Sequence, residues 1–335
     1  MRWHAVFPVT EVTHVAEARR FAMTLAQRVG FSETEAGQLA LIVTECGTNI
    51  IKHTPHGGQV AIRSLTEGNM LGVEVIALDK GPGIANIGEA LRDGFSTVGS
   101  AGTGLGAIRR LSTVFDLWSR PDAGTALLAQ LWRKTPSPEL SAGFLQIGVI
   151  CVPKLGEEQP GDSWSVLQNQ MHCRILVVDG LGHGVGAADA ARAALNTFTA
   201  HPTLAPDALV HATHQALKHT RGAVMAIADI DNLKREVRFV GVGNIDSAIY
   251  LPESARHMVS HNGTVGFEIG PTQEFVYDWS EEGVLIMNSD GCTSQLSLKP
   301  YIGLSAKHPT LIASVLYRDF NRGNDDVIVL VAKSK

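Results

Sequence analysis

Hydrophobic positions along the chain fall into two regimes. Residues 12–29 and 33–52 repeat apolar side chains with a helical period, and Ser32 followed by Glu35 is a capping-box signal at the start of the second helix. Residues 60–64 and 73–78 alternate or run apolar as paired strands do. Residues 103–112 predict a short helix and 125–132 a closing strand, so the first part reads strand, helix, helix, strand, strand, helix, strand. Residues 134–139, KTPSPE, break this pattern, because two prolines continue neither a helix nor a central strand. Beyond them strands dominate, over 145–152, 164–168, 173–178, 223–229, 236–242, 247–251, 284–288 and 327–332. Helices are predicted near 186–200, 205–220 and 308–320. The pattern predicts an α+β protein with domains at 1–134 and 142–335 joined by a linker over 135–141.

Composition supports two folded domains. The 335 residues are 44% hydrophobic and 18% charged, which excludes a disordered chain. No apolar run approaches the ~18 residues of a membrane span, so no membrane partner is expected. A net charge of -5 gives no basic stripe for nucleic acid. That charge is uneven: residues 1–134 hold 13 Lys+Arg and 12 Asp+Glu (+1), while 135–335 hold 15 and 21 (-6). Cys46, Cys151, Cys173 and Cys292 are far apart and form no CxxC, and the N-terminal MRWHAVFPVT lacks a signal-peptide stretch. A reduced, cytoplasmic protein is expected.

The first domain carries three short motifs. Glu45 and Asn49, in LIVTECGTNIIKH, are four apart and share a helix face. A carboxylate beside a carboxamide can hold magnesium and a hydroxyl, although a solvated pair gives the same spacing. Asp79, Gly81 and Gly83, in LDKGPGI, follow a strand, where an acceptor can read the amino group of a base and an ordinary tight turn is the alternative. Gly102, Thr103, Gly104, Leu105 and Gly106 lead into a helix, and stacked N–H groups there suit a polyphosphate. No GxxxxGK[ST] occurs, which excludes a P-loop enzyme.

In order and spacing these motifs resemble the GHKL ATPase superfamily over about residues 5–133, Glu45 and Asn49 matching its N-box and the two glycine runs its glycine boxes. The run DGFSTVGSAGTGLGAIRRLSTVFDLWSRPDAGT looks like the anti-sigma serine kinases of the RsbT/RsbW type, RsbT more than RsbW. The resemblance implies a Bergerat-fold ATPase α/β sandwich, with helices on a mixed sheet, that binds ATP with Mg²⁺. It implies Glu45 as base toward a Ser or Thr hydroxyl, Asn49 on Mg²⁺, Asp79 on adenine and Thr125 near the adenine.

In the second domain aspartates recur at strand ends: Asp162 in GDSW, Asp179 in DGLGHG, Asp290 in SDG, and Asp325 and Asp326 in NDD. Clustered carboxylates repel unless a cation sits among them, and their hard oxygens suit Mg²⁺ or Mn²⁺. Each aspartate alone is equally a turn former. ILVVDGLGHGVGAADAA, GDSW, GAVMAIADID, FVGVGNI, MNSDG and NDDVIVLVAK resemble, in order, the metal-dependent PPM serine/threonine phosphatases of the SpoIIE/RsbX branch, over about residues 142–333. The resemblance implies a PPM-type α-β-β-α sandwich in which Asp162, Asp179, the Gly180 carbonyl, Asp290 and Asp325 hold two Mn²⁺ or Mg²⁺. Asp325 is preferred to Asp326 by motif position alone. His183 is a weak candidate; Asp229, Asp231 and the helix-face His211, His214 and His219 read as structural or solvated.

Together the motifs predict a bifunctional regulator that phosphorylates, and dephosphorylates, a Ser or Thr of a STAS-domain anti-anti-sigma or stressosome-like protein. A sigma-pathway output protein is a further possible partner, and the oligomeric state is open. The alternatives are an ATP-gated phosphatase and a partner-binding switch whose first domain only binds nucleotide.

Overall fold

The computed structural model describes residues 2–92, 104–133, 143–293 and 296–335. The expected linker, 135–141, and the site candidates Gly102 and Thr103 lie outside the described residues. The chain divides into two compact units, Met1–Ser141 and Ala142–Lys335.

The first unit runs β1 (Ala5–Val9), α1 (Val12–Val29), α2 (Glu33–His53), β2 (Gly58–Glu67), β3 (Met70–Asp79), α3 (Ile87–Ala90), α4 (Gly104–Leu111), β4 (Val114–Ser119) and β5 (Thr125–Trp132). Gly30 ends α1 in the left-handed region at φ 80°, which a side-chain-free residue adopts without strain. Ser32 then starts α2: its hydroxyl accepts from Glu35 N at 3.3 Å and its own N–H donates to the Glu35 carboxylate at 2.7 Å. The sheet order is β1-β2-β3-β5-β4. All four pairings are antiparallel, so the mixed sheet expected for this unit is corrected. Val60, Ile62, Val73, Val75 and Leu127 on one sheet face join Val15, Ala22, Ile42, Val43 and Ile50 of the helices in one core.

A buried polar network crosses β2, β3 and β5. Arg63 Nε donates to Glu74 Oε1 at 2.6 Å, His4 Nε2 lies 3.2 Å from the same oxygen, and Gln130 Nε2 donates to Glu74 Oε2 at 2.7 Å. The sheet register makes this possible, since Glu74 is paired with Arg63 on one side and Gln130 on the other. Burial alone would raise the Glu74 carboxyl, but the Arg63 charge and the His4 contacts outweigh it and hold it well below the usual carboxylate range.

The second unit continues with β6 (Leu145–Val152), β7 (Asp162–Gln168), β8 (His172–Gly180), α5 (Val185–Ala200), α6 (Pro206–Ala216), β9 (Ala223–Asp231), β10 (Glu236–Val242) and β11 (Asp246–Tyr250). Short strands β12 (Ala255–His257), β13 (Ser260–His261), β14 (Gly263–Thr264), β15 (Glu268–Ile269) and β16 (Phe275–Asp278) follow, then β17 (Val284–Asn288), α7 (Pro309–Phe320) and β18 (Val327–Ser334). One sheet orders β13-β10-β9-β8-β7 with β16 also on β10; the other orders β12-β11-β17-β18-β6. Helices α5 and α6 pack on the first sheet and α7 on β6 and β18. Strands buried on both faces read as unbroken apolar runs. Leu176 and Val178 of β8 meet Ala191, Ala194 and Phe198 of α5 in the helix-side core, while Ile175 and Val177 between them are also fully buried.

Removing one partner of a buried ion pair leaves the other charge uncompensated, at about 3–5 kcal/mol. Glu74→Ala is therefore expected to destabilise the first unit by roughly that amount, read from urea unfolding of the full chain. Because the Glu74 carboxyl is depressed in the folded state, its stabilisation is present above the unfolded value of about 4.3 and fades as pH falls below it. The gap between wild type and Glu74→Gln should narrow from pH 7 to pH 3.

Candidate functional site

In the first unit, α2 and the start of α4 face each other. Glu45 and Asn49 lie one helical turn apart and half-buried. A β-carbon on Gly104 would stand 3.2 Å from Glu45 Oε2 and 3.3 Å from Asn49 Oδ1. A side chain there would press on both, so glycine keeps open the space between this pair and the Gly104, Leu105 and Gly106 turn of α4. Asn49 Nδ2 is buried without a hydrogen-bond partner among the described residues, which suits a ligand that completes it.

The other wall is the end of β3. Asp79 Oδ1 accepts from Gly81 N at 2.8 Å and from Thr125 N at 3.2 Å. Asp79 and Thr125 are paired in register, so the first glycine run and the start of β5 form one corner. A β-carbon on Gly124, which has φ 70°, would clash with the Asp79 carbonyl. Ser119, absent from the sequence candidates, locks this corner. Its hydroxyl donates to Gly124 O at 2.8 Å, accepts from Ile84 N at 2.9 Å and lies 2.9 Å from Thr125 Oγ1.

In the second unit the carboxylates gather where strands of both sheets end. Asp162 and Asp179 are cross-strand partners at the end of β7 and β8. Asp179, Asp290 and Asp325 line a cleft of about 430 Å³. Asp162 is buried behind it. Its Oδ2 accepts from Ser289 Oγ at 2.7 Å, and its Oδ1 has no partner among the described residues. Gly180 packs under α5, where a β-carbon would clash with the Ala187 carbonyl.

Asp325 and Asp326 do different things. Asp326 is buried and accepts from Lys154 N and Gly161 N, both at 2.7 Å, so it anchors the loop that leads into β7. Asp325 is exposed on the cleft. Asn244 also lines the cleft, and its Nδ2 donates to Asp290 Oδ2 at 2.7 Å. Sequence reasoning missed it because the partners lie 46 residues apart. His183 Nδ1 meets Glu157 Oε1 at 2.7 Å. Asp229 pairs with Arg174, Asp231 accepts from Leu233 N and Lys234 N at 3.0 Å, His214 accepts from Gly266 N at 3.1 Å, and His211 meets Thr272 at 3.2 Å.

Electrostatics fit the second cluster to a cation. Burial, then Asp290, Asp325 and Asp326, push the Asp179 carboxyl up to about 8. Burial and the Asp179 charge raise Asp162 well above its ordinary value against the opposing Ser289 bond. Among the described residues, no three His, Cys, Asp or Glu side chains close into a ready cage. The orphaned Asp162 oxygen and the all-oxygen donor set nevertheless fit a hard divalent ion.

Residues 9–131 match the family model of the histidine kinase-like ATPase domain, and residues 169–335 that of stage II sporulation protein E. Asp162 lies just upstream of the second match. Over 118 residues the chain is 32% identical to the serine/threonine-protein kinase RsbT of Bacillus subtilis (strain 168), covering 88% of RsbT and 35% of this chain. Two solved structures share the fold. One, from work describing the bacterial stressosome as a modular system adapted to control secondary messenger signaling, has a TM-score of 0.53 and 24% identity, covering 56% of this chain and 99% of that chain. RsbX in complex with magnesium has a TM-score of 0.51 and 19% identity, covering 57% of this chain and 96% of RsbX. The chain belongs, through its first unit, to the RsbT family of histidine kinase-like ATPases, and it continues into a domain that matches the stage II sporulation protein E model. The first unit is of an enzyme family. Among the described residues no helix is long and apolar enough to cross a membrane.

The raised carboxyls carry a sign. A carboxyl whose folded value exceeds its unfolded value of about 3.9 stabilises the fold below that value and loses the stabilisation as pH rises through the folded one. With chelator present, wild-type stability should fall between pH 4 and pH 8. Asp179→Asn should flatten that slope and exceed wild type at pH 8 by on the order of 1–3 kcal/mol, measured by urea unfolding.

Proposed function

We propose that the chain is a bifunctional regulator of a STAS-domain partner: the first unit phosphorylates a Ser or Thr of that protein with ATP, and the second removes the phosphate. The observation that carries this reading is the pairing, in one chain, of a Glu45–Asn49 pair facing the Gly104 turn with a cleft lined by Asp179, Asp290 and Asp325. The likeness to a serine/threonine-protein kinase and to a stressosome chain supports the partner class. Four buried free thiols suit a reducing cytoplasm.

In the first unit Glu45 would accept the proton of the attacking hydroxyl, which positioned phosphoryl transfer requires of its base. Asn49 Oδ1 would hold Mg²⁺ and the N–H groups of Gly104, Leu105 and Gly106 would donate to phosphate oxygens. Gly102 and Thr103 are proposed for the same role from their motif alone. Asp79 would accept from the adenine amino group, with Gly81, Gly83 and Thr125 shaping the pocket. In the second unit Asp162, Asp179, Asp290, Asp325 and the Gly180 carbonyl would hold two Mn²⁺ or Mg²⁺, as the magnesium-bound RsbX fold supports. Bound metal would supply charge neutralisation and a more acidic water. Asn244 would keep the Asp290 carboxylate turned to the cleft, and Asp326 would hold the β7 loop in place.

The test uses the full chain, a purified STAS-domain protein, ATP, Mg²⁺ and Mn²⁺, with phosphoprotein followed by mass spectrometry. Glu45→Gln should lower phosphorylation by about 10²-fold or more, and Asp179→Asn should let phosphoprotein accumulate. Wild type that neither transfers nor releases phosphate with any STAS protein tried would sink the reading.

A further inference from the structure

An anionic phosphate ester approaching the second-unit cleft meets the carboxylates of Asp179, Asp290 and Asp325. Among the described residues, Arg221 is a cation packed against the loop of one lining residue, Gly182. Arg221, just before β9, reaches over the loop that carries Gly182, and Gly182 lines the cleft beside Asp179. A β-carbon on Gly182 would lie 3.2 Å from Arg221 Nη1, and one on Gly186 would lie 2.6 Å from its Nε. Nη1 donates a long 3.4 Å bond to the His183 carbonyl. The backbone below is fixed, because Leu181 N donates to Gly222 O at 3.0 Å.

This arginine is exposed and, among the described residues, has no carboxylate partner. Elsewhere in the unit Arg174 holds Asp229, Arg238 holds Glu274 and Arg318 holds Asp319. Glu157, whose carboxylate stands against Gly184 of the same loop, meets His183 at 2.7 Å. An arginine without a carboxylate partner, lying on the loop that carries a lining residue of the cleft, has its planar donor fork available for a visiting anion. Gly182 and Gly186 give it room to lie against the loop, where any side chain would displace it.

We propose that Arg221 binds and orients the phosphate of the phosphorylated side chain in the second unit, donating to phosphate oxygens while the ester sits in the Asp179 cleft. The inference rests on the phosphatase reading of that cleft. Arg221 acts on the substrate and not on the metals, so its loss should weaken phosphate binding and leave cation binding intact.

The experiment compares full-length wild type, Arg221→Ala, Arg221→Lys and, as an exposed control, Arg192→Ala. p-Nitrophenyl phosphate hydrolysis with Mn²⁺ gives KM and kcat, and calorimetry gives affinities for inorganic phosphate and for Mn²⁺. Arg221→Ala should raise KM and the phosphate Kd about tenfold, with kcat within about threefold of wild type. Arg221→Lys should recover part of the loss, and Mn²⁺ affinity and thermal midpoint should match wild type. Values for Arg221→Ala within twofold of wild type overturn the proposal, as does a parallel loss of Mn²⁺ affinity or thermal stability. If wild type hydrolyses nothing with either metal, the phosphatase reading fails by itself. The phosphate titration then still decides on Arg221, since a difference between wild type and Arg221→Ala upholds the anion site and equality removes it.

Discussion

The second unit must hold several like charges together at the end of a two-sheet sandwich. A buried carboxylate would ordinarily find a cation or take a proton. Asp162 is held in place by its register opposite Asp179 and by Ser289, whose hydroxyl donates to Asp162 and accepts from Ile328 N at 3.1 Å. One hydroxyl thus ties β7 to β18 across the sandwich. Asp326 performs the matching service for the loop before β7, using both carboxylate oxygens on backbone amides. The result is a crowding of carboxyls that an external cation would relieve.

Glu74 in the first unit is the opposite solution. It is as buried as Asp162, but Arg63, His4 and Gln130 satisfy it from within the sheet. Its value falls while those of Asp162 and Asp179 rise. The direction of the shift separates a carboxylate that serves the fold from carboxylates kept for something the chain does not itself supply. The same contrast explains the uneven charge. In the first unit acids and bases balance, +1 over residues 1–134, while the excess of six acids over 135–335 includes a cluster that forms no Lys or Arg ion pair among the described residues.

Much of the fold was legible because its signals are local. The Ser32–Glu35 capping box and the four-residue spacing of Glu45 and Asn49 survive as geometry. The apolar run of β8 survives because both of its faces are covered. What escaped depends on partners distant in sequence or on edges. Strand β4 sits at the sheet edge and carries Asp116, whose carboxylate caps the neighbouring Leu117 N–H, so no clean alternation marked it. Strands β12 to β15 span two or three residues each, too short for any period. Motif position alone offered no physical ground for choosing between Asp325 and Asp326. The hydrogen bonds divide them into a cleft residue and an anchor. Asn244 and Arg221 reach the site only through contacts 46 and 38 residues away.

The two sites differ in charge because their tasks differ. On the proposed reading a nucleotide brings its own negative charge, so the first site would offer backbone amides, one carboxamide and a base, and would need no acidic cluster. A phosphatase of this donor set must draw in cations first, and the acids that do so repel the substrate that follows. The proposed Arg221 contact, outside the carboxylates that would hold metal, would resolve that conflict without neutralising them. On the proposed reading both reactions run downhill, one by consuming ATP and the other by adding water. No equilibrium then sets the partner's phosphorylation; the ratio of two rates does. Signals need only alter Glu45 chemistry or access to the Asp179 cleft, and a modest change in either rate moves the steady state of the partner.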